Sequence, residues 1–262
     1  MYSTEHIKYL KKIKRTKTVI RSIQILMMIS FIALWELAAY MGWINVFITS
    51  KPSAIKYTIV SLHQANNLWN HIYITVYQTI FSFILGTAIG FLIAIIMWSN
   101  RTFARIIDPY LTVLNSLPKI ALGPILVIWI GANQKSIIAM ALLISVIVTI
   151  IGVYNGFNQA DRDKIKLMKS FQATKYQIFT KVVFPESIPT FISSLKINIS
   201  MSLIGIIMGE FLVSKEGIGY LIMYGSQVFN LHLVMSGIVI LSIVATILYY
   251  AVYFLEKALI KN

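Results

Sequence analysis

The chain has 262 residues, of which 58% are hydrophobic and only 12% charged. With a mean hydropathy of +0.77, it carries too much apolar side chain for a water-soluble domain, in which about 25% of residues are charged. The lack of cysteine excludes disulfides and thiolate metal sites. The net charge of +14 is typical of basic loops beside a membrane, so we expect a lipid bilayer and no nucleic acid as partner. These features predict an all-α membrane protein.

Six apolar segments are long enough to cross a bilayer, which takes about 20 residues. They are residues 22–41, 72–98, 106–130, 136–156, 188–214 and 231–255. The first follows a basic arm, 1–21, and its length favours a retained span over a cleaved signal peptide. The third contains Pro109, Pro118 and Pro124, and the fifth contains Lys196 and Glu210, so their limits are the least defined. We interpret 1–262 as a single transmembrane domain.

The basic residues predict how the six spans are oriented. Seventeen Lys and Arg residues lie in the arm, in the loops after the second and fourth spans and in the tail, whereas only four lie on the other side. The positive-inside rule therefore places both termini in the cytoplasm. The polar, basic segment 157–187 becomes a cytoplasmic loop. Because little else of the chain leaves the bilayer, we expect this loop to contact a partner.

Small residues at helical spacing indicate where the spans pack together. Glycines four residues apart let a neighbouring helix approach closely in lipid. The pairs are Gly86/Gly90, Gly152/Gly156 and Gly205/Gly209. Outside the spans, Lys51-Pro52-Ser53 predicts the start of a short helix on the non-cytoplasmic face, since proline suits a first helical turn.

The residue patterns of several enzyme classes are missing from the sequence. There is no glycine-rich loop followed by Lys-Ser/Thr for binding ATP, no His-Glu-x-x-His and no Gly-x-Ser-x-Gly. The four histidines are scattered along the chain. We therefore expect no metal, no cofactor and no catalytic residue, and the chain is predicted not to be an enzyme.

Four charged residues lie at membrane depth, namely Glu36, Lys119, Lys196 and Glu210. One alternative is that Lys119 or Lys196 offers a positive field to an anionic substrate; the other is that they pair with Glu36 or Glu210, or extend to the membrane boundary. Prolines on both sides of Lys119 favour a broken helix that opens toward a cavity. The candidate polar lining groups are Asn115, Ser116, Lys119, Asn198, Ser200, Ser202 and Glu210.

The loop resembles the cytoplasmic signature of the ABC importer permeases. That signature has a Glu-Ala-Ala triplet, a glycine four residues after it and, nine residues further on, Ile-x-Leu-Pro. Here Lys166-Leu167-Met168 stands at the triplet and Gln172 at the glycine, and Val182-Val183-Phe184-Pro185 follows at the expected spacing. The spacing and the final proline match, whereas the triplet and the glycine do not.

Three other segments are similar to one subfamily of these permeases. They are 47–53, 108–124 (with Leu117-Pro118-Lys119) and 209–219 (with Gly209-Glu210 and Gly217-Ile218-Gly219). The subfamily comprises permeases for sulfonates, taurine, nitrate or bicarbonate, and pyrimidine thiamin precursors. The resemblance implies a six-helix MetI-like fold in the cell membrane, with both termini cytoplasmic.

The resemblance also implies partners and a function. Two permease subunits, as a homodimer, form the substrate pathway, two separate ATPase subunits bind nucleotide, and an extracytoplasmic binding protein delivers substrate. The ATPase-contacting residues it implies are Leu167, Ser170, Phe171, Gln172, Ala173 and Tyr176. The expected substrate is a small anion such as a sulfonate, taurine or nitrate. The alternatives are a thiamin-precursor pyrimidine or similar organic solute and, in another class, a stand-alone channel or secondary transporter.

Overall fold

The computed structural model describes residues 4–259, and the side chains of residues 12–258. Over this range the secondary structure is helical, without strands. The α-helices are α1 Thr4–Tyr40, α2 Val46–Thr49, α3 Pro52–Gln64, α4 Leu68–Ser99, α5 Arg101–Ser116, α6 Gly123–Ile130, α7 Gln134–Asn158, α8 Arg162–Ser170, α9 Lys175–Ile178, α10 Phe184–Val213, α11 Ile218–Gln227 and α12 Leu231–Leu259. A 3₁₀ turn, Lys119–Leu122, precedes α6, and a π turn, Phe179–Val183, precedes α10.

The long helices coincide with the predicted spans. In the described part of the chain, five helices are long and apolar enough to cross a membrane. The sixth candidate is the pair 101–116 and 119–130, which is bent by 89°. The bend falls at Leu117 and Pro118, where the sequence predicted a break. Both residues lie outside helix, as expected because the residue before a proline avoids helical geometry.

Helices α4, α7 and α10 form the centre of the bundle, and glycines determine how closely they approach. A Cβ on Gly209 would lie 2.8 Å from the Ile137 Cα, and one on Gly90 would lie 2.7 Å from the Thr149 Cβ. Gly152 faces Ser194 at similarly short range. Each of the three predicted glycine pairs lies at such a contact, so the predicted packing role is confirmed.

The contacts between these helices also give their directions. Gly86 faces Ser145 and Gly90 faces Thr149, so α4 and α7 run in parallel. The chain between them must therefore return along the whole bundle, and the bent pair α5–α6 provides that return crossing. By the same reasoning α10 is antiparallel to α7, since Gly152 faces Ser194 and Gly156 faces Thr190. We call the end of the bundle that holds residues 159–183 the loop end.

The opposite end of the bundle is closed by α3, which packs on α12. The Ser50 Oγ lies 2.8 Å from the His232 Nδ1. Glu36 of α1 accepts hydrogen bonds from the Ser53 backbone N–H at 2.9 Å and from its hydroxyl at 2.8 Å. A carboxylate at a helix N-terminus satisfies backbone donors that have no partner inside the helix. The helix predicted to begin beside Pro52 is confirmed, and α1 supplies its cap.

An aromatic cluster fills the bundle at the loop end. It consists of Phe91 and Trp98 from α4, Phe157 from α7, Phe179 from the π turn, and Phe184 and Phe191 from α10. The Phe91 ring centroid lies 5.2–6.1 Å from those of Phe157, Phe184 and Phe191, the range in which aromatic pairs attract. Three helices and the connecting loop therefore meet at one rigid point.

Candidate functional site

The loop between α7 and α10 is attached to the bundle at its start. Asp161 caps α8 by accepting from the Asp163 N–H at 2.8 Å. Glu186, in the first turn of α10, accepts from the Asp161 N–H at 2.7 Å and from the Lys164 Nζ at 2.6 Å. The hydrogen bond and charge of Glu186 raise the pKa of the Lys164 ammonium. One carboxylate thus joins the first turn of α8 to the first turn of α10.

The turn that ends α8 forms without a glycine. Gln172, at the position of the family's glycine, has φ of +57°, in the left-handed region that glycine enters most easily. Its N–H donates to the Lys169 carbonyl at 2.9 Å, and the Ala173 N–H donates to the Met168 carbonyl at 3.0 Å. Thr174 then caps α9 in a capping box with Gln177. The tight turn is therefore kept, with backbone strain at Gln172.

The six predicted ATPase-contacting residues divide into an exposed set and one inner residue. Leu167, Phe171 and Tyr176 have exposed fractions of 57%, 74% and 76%, and Ser170 and Gln172 are exposed as well. Ala173 is half-buried and packs beneath them, as do Ile165 and Met168 of the same loop, on the buried core that contains Phe157, Ile178 and Val183. We call Leu167, Phe171 and Tyr176 the loop surface.

Of the seven predicted lining residues, Ser200 is exposed and donates to the Lys196 carbonyl, and the other six divide into two groups. Asn115, Ser116 and Lys119 lie together at the break of the third span, where the Lys119 Nζ donates to the Asn115 carbonyl at 2.9 Å and to its Oδ1 at 3.2 Å. Lys119 also borders an apolar groove against Leu142 and Leu143 of α7. These groups stand on the outside of the single chain.

The second group is buried between α4, α10 and α11. The Asn198 Nδ2 donates to the Thr87 Oγ1 at 2.7 Å, and Ser202 is fully buried. Glu210 accepts from the Thr75 hydroxyl at 2.7 Å and from the Gly219 N–H at 2.6 Å. In the single chain, Asn198, Ser202 and Glu210 therefore serve helix packing and hold the start of α11, and they do not reach an open surface.

Lys196 has a structural partner that the sequence did not suggest. Its Nζ lies 2.5 Å from a carboxylate oxygen of Glu256 in α12 and 5.4 Å from the centre of the Tyr253 ring. Of the two alternatives for Lys196, the structure therefore shows ion pairing. The partner is Glu256 and not Glu36 or Glu210. Nothing in the sequence spacing identifies Glu256, because the pairing depends on the register between α10 and α12.

Glu186, which joins α8 to α10, lies outside the set of predicted site residues. Glu186 was not singled out, although an acidic residue in a first helical turn, directly after Pro185, is a recognisable signal.

Within residues 12–258, no group of three His, Asp or Glu side chains is arranged to hold a metal ion.

The fold is that of a multi-pass helical membrane protein. The sequence profile of the family described as "Binding-protein-dependent transport system inner membrane component" matches residues 86–261. This match covers more than half of the chain, and the chain belongs to that family. It is a multi-pass membrane protein and a permease subunit of the ABC importer type.

Named relatives and a solved structure agree with this assignment. The putative aliphatic sulfonates transport permease protein SsuC of Bacillus subtilis is 25% identical over 88% of this chain and 83% of its own length. The formylaminopyrimidine transport permease protein ThiX of Halalkalibacterium halodurans is 27% identical over 90% and 93%. An inward-facing structure of the MetNI methionine ABC transporter superposes with a TM-score of 0.64 at 19% identity, covering 76% of this chain and 96% of that one.

Proposed function

We propose that this permease forms the substrate pathway of an ATP-driven importer and receives the work of ATP hydrolysis through the segment 157–187. In this proposal a separate ABC ATPase docks on the loop surface, so the loop end faces the cytoplasm, and both termini lie on that side. A second copy of the chain completes the membrane part, and an extracytoplasmic binding protein supplies the solute.

The exposure of the loop surface carries the proposal. Leu167, Phe171 and Tyr176 are large apolar side chains, each more than half exposed, in a loop whose other exposed residues are mostly polar or basic. Leu167 and Phe171 are four residues apart and share one face, because α8 continues to Ser170 and Phe171 caps it. Apolar and aromatic side chains of this kind provide most of the energy of protein interfaces. A protein groove that covers them explains why they stay outside the bundle.

The inner face of the loop gives a route for force. Ile165, Met168 and Ala173 rest on the buried core around Phe157, Ile178 and Val183, and Glu186 holds α8 to α10. A push on the loop surface therefore reaches α4, α7 and α10 through packed side chains and not through a flexible linker. Closely packed elements move as units between discrete arrangements, which is the basis of alternating access.

Co-purification tests the docking surface. Phe171→Ala and Tyr176→Ala should each reduce the ATPase recovered with the permease by at least about ten-fold, because loss of an interface anchor costs about 2 kcal/mol. Lys181→Ala, at an exposed residue of the same loop, is the matched control and should recover wild-type amounts. Undiminished recovery with both aromatic variants would place the ATPase elsewhere.

For the substrate, we propose a small anion such as a sulfonate, taurine or nitrate. The support is the SsuC relative together with the cluster of Lys119, Asn115 and Ser116 at the broken span. The ThiX relative supports the second candidate, a pyrimidine thiamin precursor. The complex with its binding protein decides between them: taurine or an alkanesulfonate should stimulate ATP hydrolysis, and stimulation by formylaminopyrimidine alone would favour the second.

A stand-alone channel or secondary transporter is the other class. It predicts that the purified subunit moves solute down a gradient in liposomes without the ATPase. Our proposal predicts no such flux until ATPase, ATP and loaded binding protein are all present.

A further inference from the structure

Helix α5 carries a polar stripe, of which the proposed function uses only Asn115 and Lys119 at one end. Its members recur at intervals of four and three residues and therefore follow one face of the helix. They are Arg101, Arg105, Asp108, Thr112, Asn115 and Lys119. Lys119 lies beyond the break, but its Nζ folds back onto Asn115, so it closes the end of the stripe.

Two other faces of α5 are apolar and have different surroundings. Ala104 and Leu111 are buried against α4 and α7. Ile106, Tyr110 and Val113 are more than half exposed and suit lipid or an apolar protein surface. The polar stripe lies between these faces, and every member except the half-buried Lys119 is exposed. Neighbouring residues 112 and 113 thus belong to different surfaces.

The stripe runs through the membrane part of the fold. Helix α5 has 16 residues, about 24 Å of length. It starts at the loop end, and the groove at Lys119 is lined by Leu142 and Leu143, in the first half of α7. Arg101 and Arg105 belong to the basic loop at the loop end, but Asp108 and Lys119 lie within the predicted span 106–130, and lipid does not solvate Asp or Lys. Among the ion pairs of residues 12–258, none includes Arg101, Arg105, Asp108 or Lys119. The stripe therefore needs water.

The geometry points to a water-filled route for anions along this stripe, from the break at Pro118 to the loop end, with Lys119 as its inner cation. The inference rests on the proposed importer function and assigns binding groups within it. Three cations and one carboxylate give the stripe a positive field. Arg and Lys donate charge-assisted hydrogen bonds to oxyanions, and Asn115 keeps its Nδ2 as a donor because its Oδ1 accepts from Lys119.

Asp108 has a role in the same route. It stands between Arg105 and Lys119 and separates the inner cation from the two at the loop end. An anion is then held by one site at a time and can leave, as conduction requires.

The natural chain contains no cysteine, so single cysteines test this route without a background. Thr112→Cys places a thiol on the stripe, and Val113→Cys places one on the adjacent apolar face as the matched control. The assembled transporter in proteoliposomes, at about 10 mM salt where screening is weak, is treated with two methanethiosulfonates, the anionic ethylsulfonate and the cationic ethyltrimethylammonium. The ratio of the two reagents' rates with free 2-mercaptoethanol is the reference to which the ratio at each protein thiol is compared.

We expect Thr112→Cys to react with both reagents and Val113→Cys to react at least ten-fold more slowly. The Lys119 Nζ rests on Asn115, about one helical turn beyond residue 112, so its charge lies within about 10 Å of that position. In water a unit charge at that distance changes each rate about two-fold in opposite directions, so adding Lys119→Met should lower the anion-to-cation ratio about four-fold. Asn115→Cys, on the same stripe, replaces Thr112→Cys if that variant does not assemble.

Two results would overturn the inference. If the stripe thiols are as unreactive as Val113→Cys, protein or lipid covers the stripe and there is no water route. If they react but Lys119→Met leaves the ratio unchanged, the route is not tuned for anions. Co-purification with the ATPase is measured on the same samples. If the ATPase is lost while the labelling pattern persists, the importer proposal fails and the water route stands, so the two failures are distinguishable.

Discussion

Replacing Gln172 by glycine should stabilise the cytoplasmic loop. Gln172 has φ of +57°, and a residue with a Cβ pays roughly 1–2 kcal/mol in that conformation. Glycine avoids this cost but loses about 0.5–1 kcal/mol through the greater freedom of the unfolded segment. The net expectation is a gain of about 0.5–1 kcal/mol for the closed loop, since the Gln172 side chain makes no hydrogen bond within residues 12–258 that would offset it.

Amide hydrogen exchange of residues 167–177 measures this directly. A gain of that size should slow local opening by about two- to five-fold. Ser170→Gly is the control, because Ser170 lies in the last turn of α8, where glycine should speed exchange. Unchanged or faster exchange in Gln172→Gly would show that the left-handed turn at 172 is not strained, and the explanation of the missing family glycine would fail.

Three other changes test the packing at the loop and in the bundle. Glu186→Gln keeps an acceptor for the Asp161 N–H but removes the ion pair. ATPase recovery should therefore persist, while substrate-stimulated ATP hydrolysis should fall by about two-fold or more. Full stimulation of ATP hydrolysis in this variant would exclude Glu186 from coupling. Because Glu186 raises the pKa of Lys164, its contribution is present below the usual lysine pKa and is lost as pH rises through the raised value. The loop's protection factor, in which the base catalysis of intrinsic exchange is divided out, should therefore fall over that alkaline range in the wild type and not in Glu186→Gln. Gly205→Ala forces a Cβ into the backbone of α7 and should lower the stability of the bundle by about 1–3 kcal/mol, measured by thermal melting in detergent. Gly152→Ala meets a movable serine hydroxyl and should lower stability less. Equal losses of stability would contradict the close contact between Gly205 and α7.

The spans and the helix contacts were predictable because both depend on local patterns. Runs of apolar residues gave the six crossings, and the break at Pro118 follows from the backbone restrictions that proline imposes. Glycines at a spacing of four, such as Gly205 and Gly209, marked the contact between α7 and α10. The turn at Gln172 was not predicted, because the family's glycine is missing there, and the structure shows the turn nonetheless, with Gln172 at a positive φ.

The partners of buried polar groups were not predictable from the sequence. Lys196 pairs with Glu256 across two helices, and Glu210 caps the start of α11 with Thr75. These contacts depend on register and on helix rotation, which spacing within one segment does not fix. The inward packing of Ala173 has the same origin, since only the folded loop shows which face meets the buried core around Phe157.

The stripe on α5 differs, because its intervals are visible in the sequence. Prolines and charges made the third span hard to delimit, and that uncertainty hid the regular spacing from Arg101 to Lys119. The bend of 89° shows that α5 is a helix separate from α6. Once its ends are known, its buried, exposed apolar and polar faces can be told apart.

Photo-crosslinking from residue 171 tests most directly whether this permease takes its driving force from a separate ATPase. A benzophenone attached to Phe171→Cys in the otherwise cysteine-free chain should yield one product with the mass of the permease plus one ATPase subunit, and the product should disappear when the ATPase is left out. The same label at Ile48→Cys, an exposed apolar residue at the opposite end of the bundle, should not capture the ATPase. Capture from position 48, or none from position 171 in a complex that imports solute, would contradict the account.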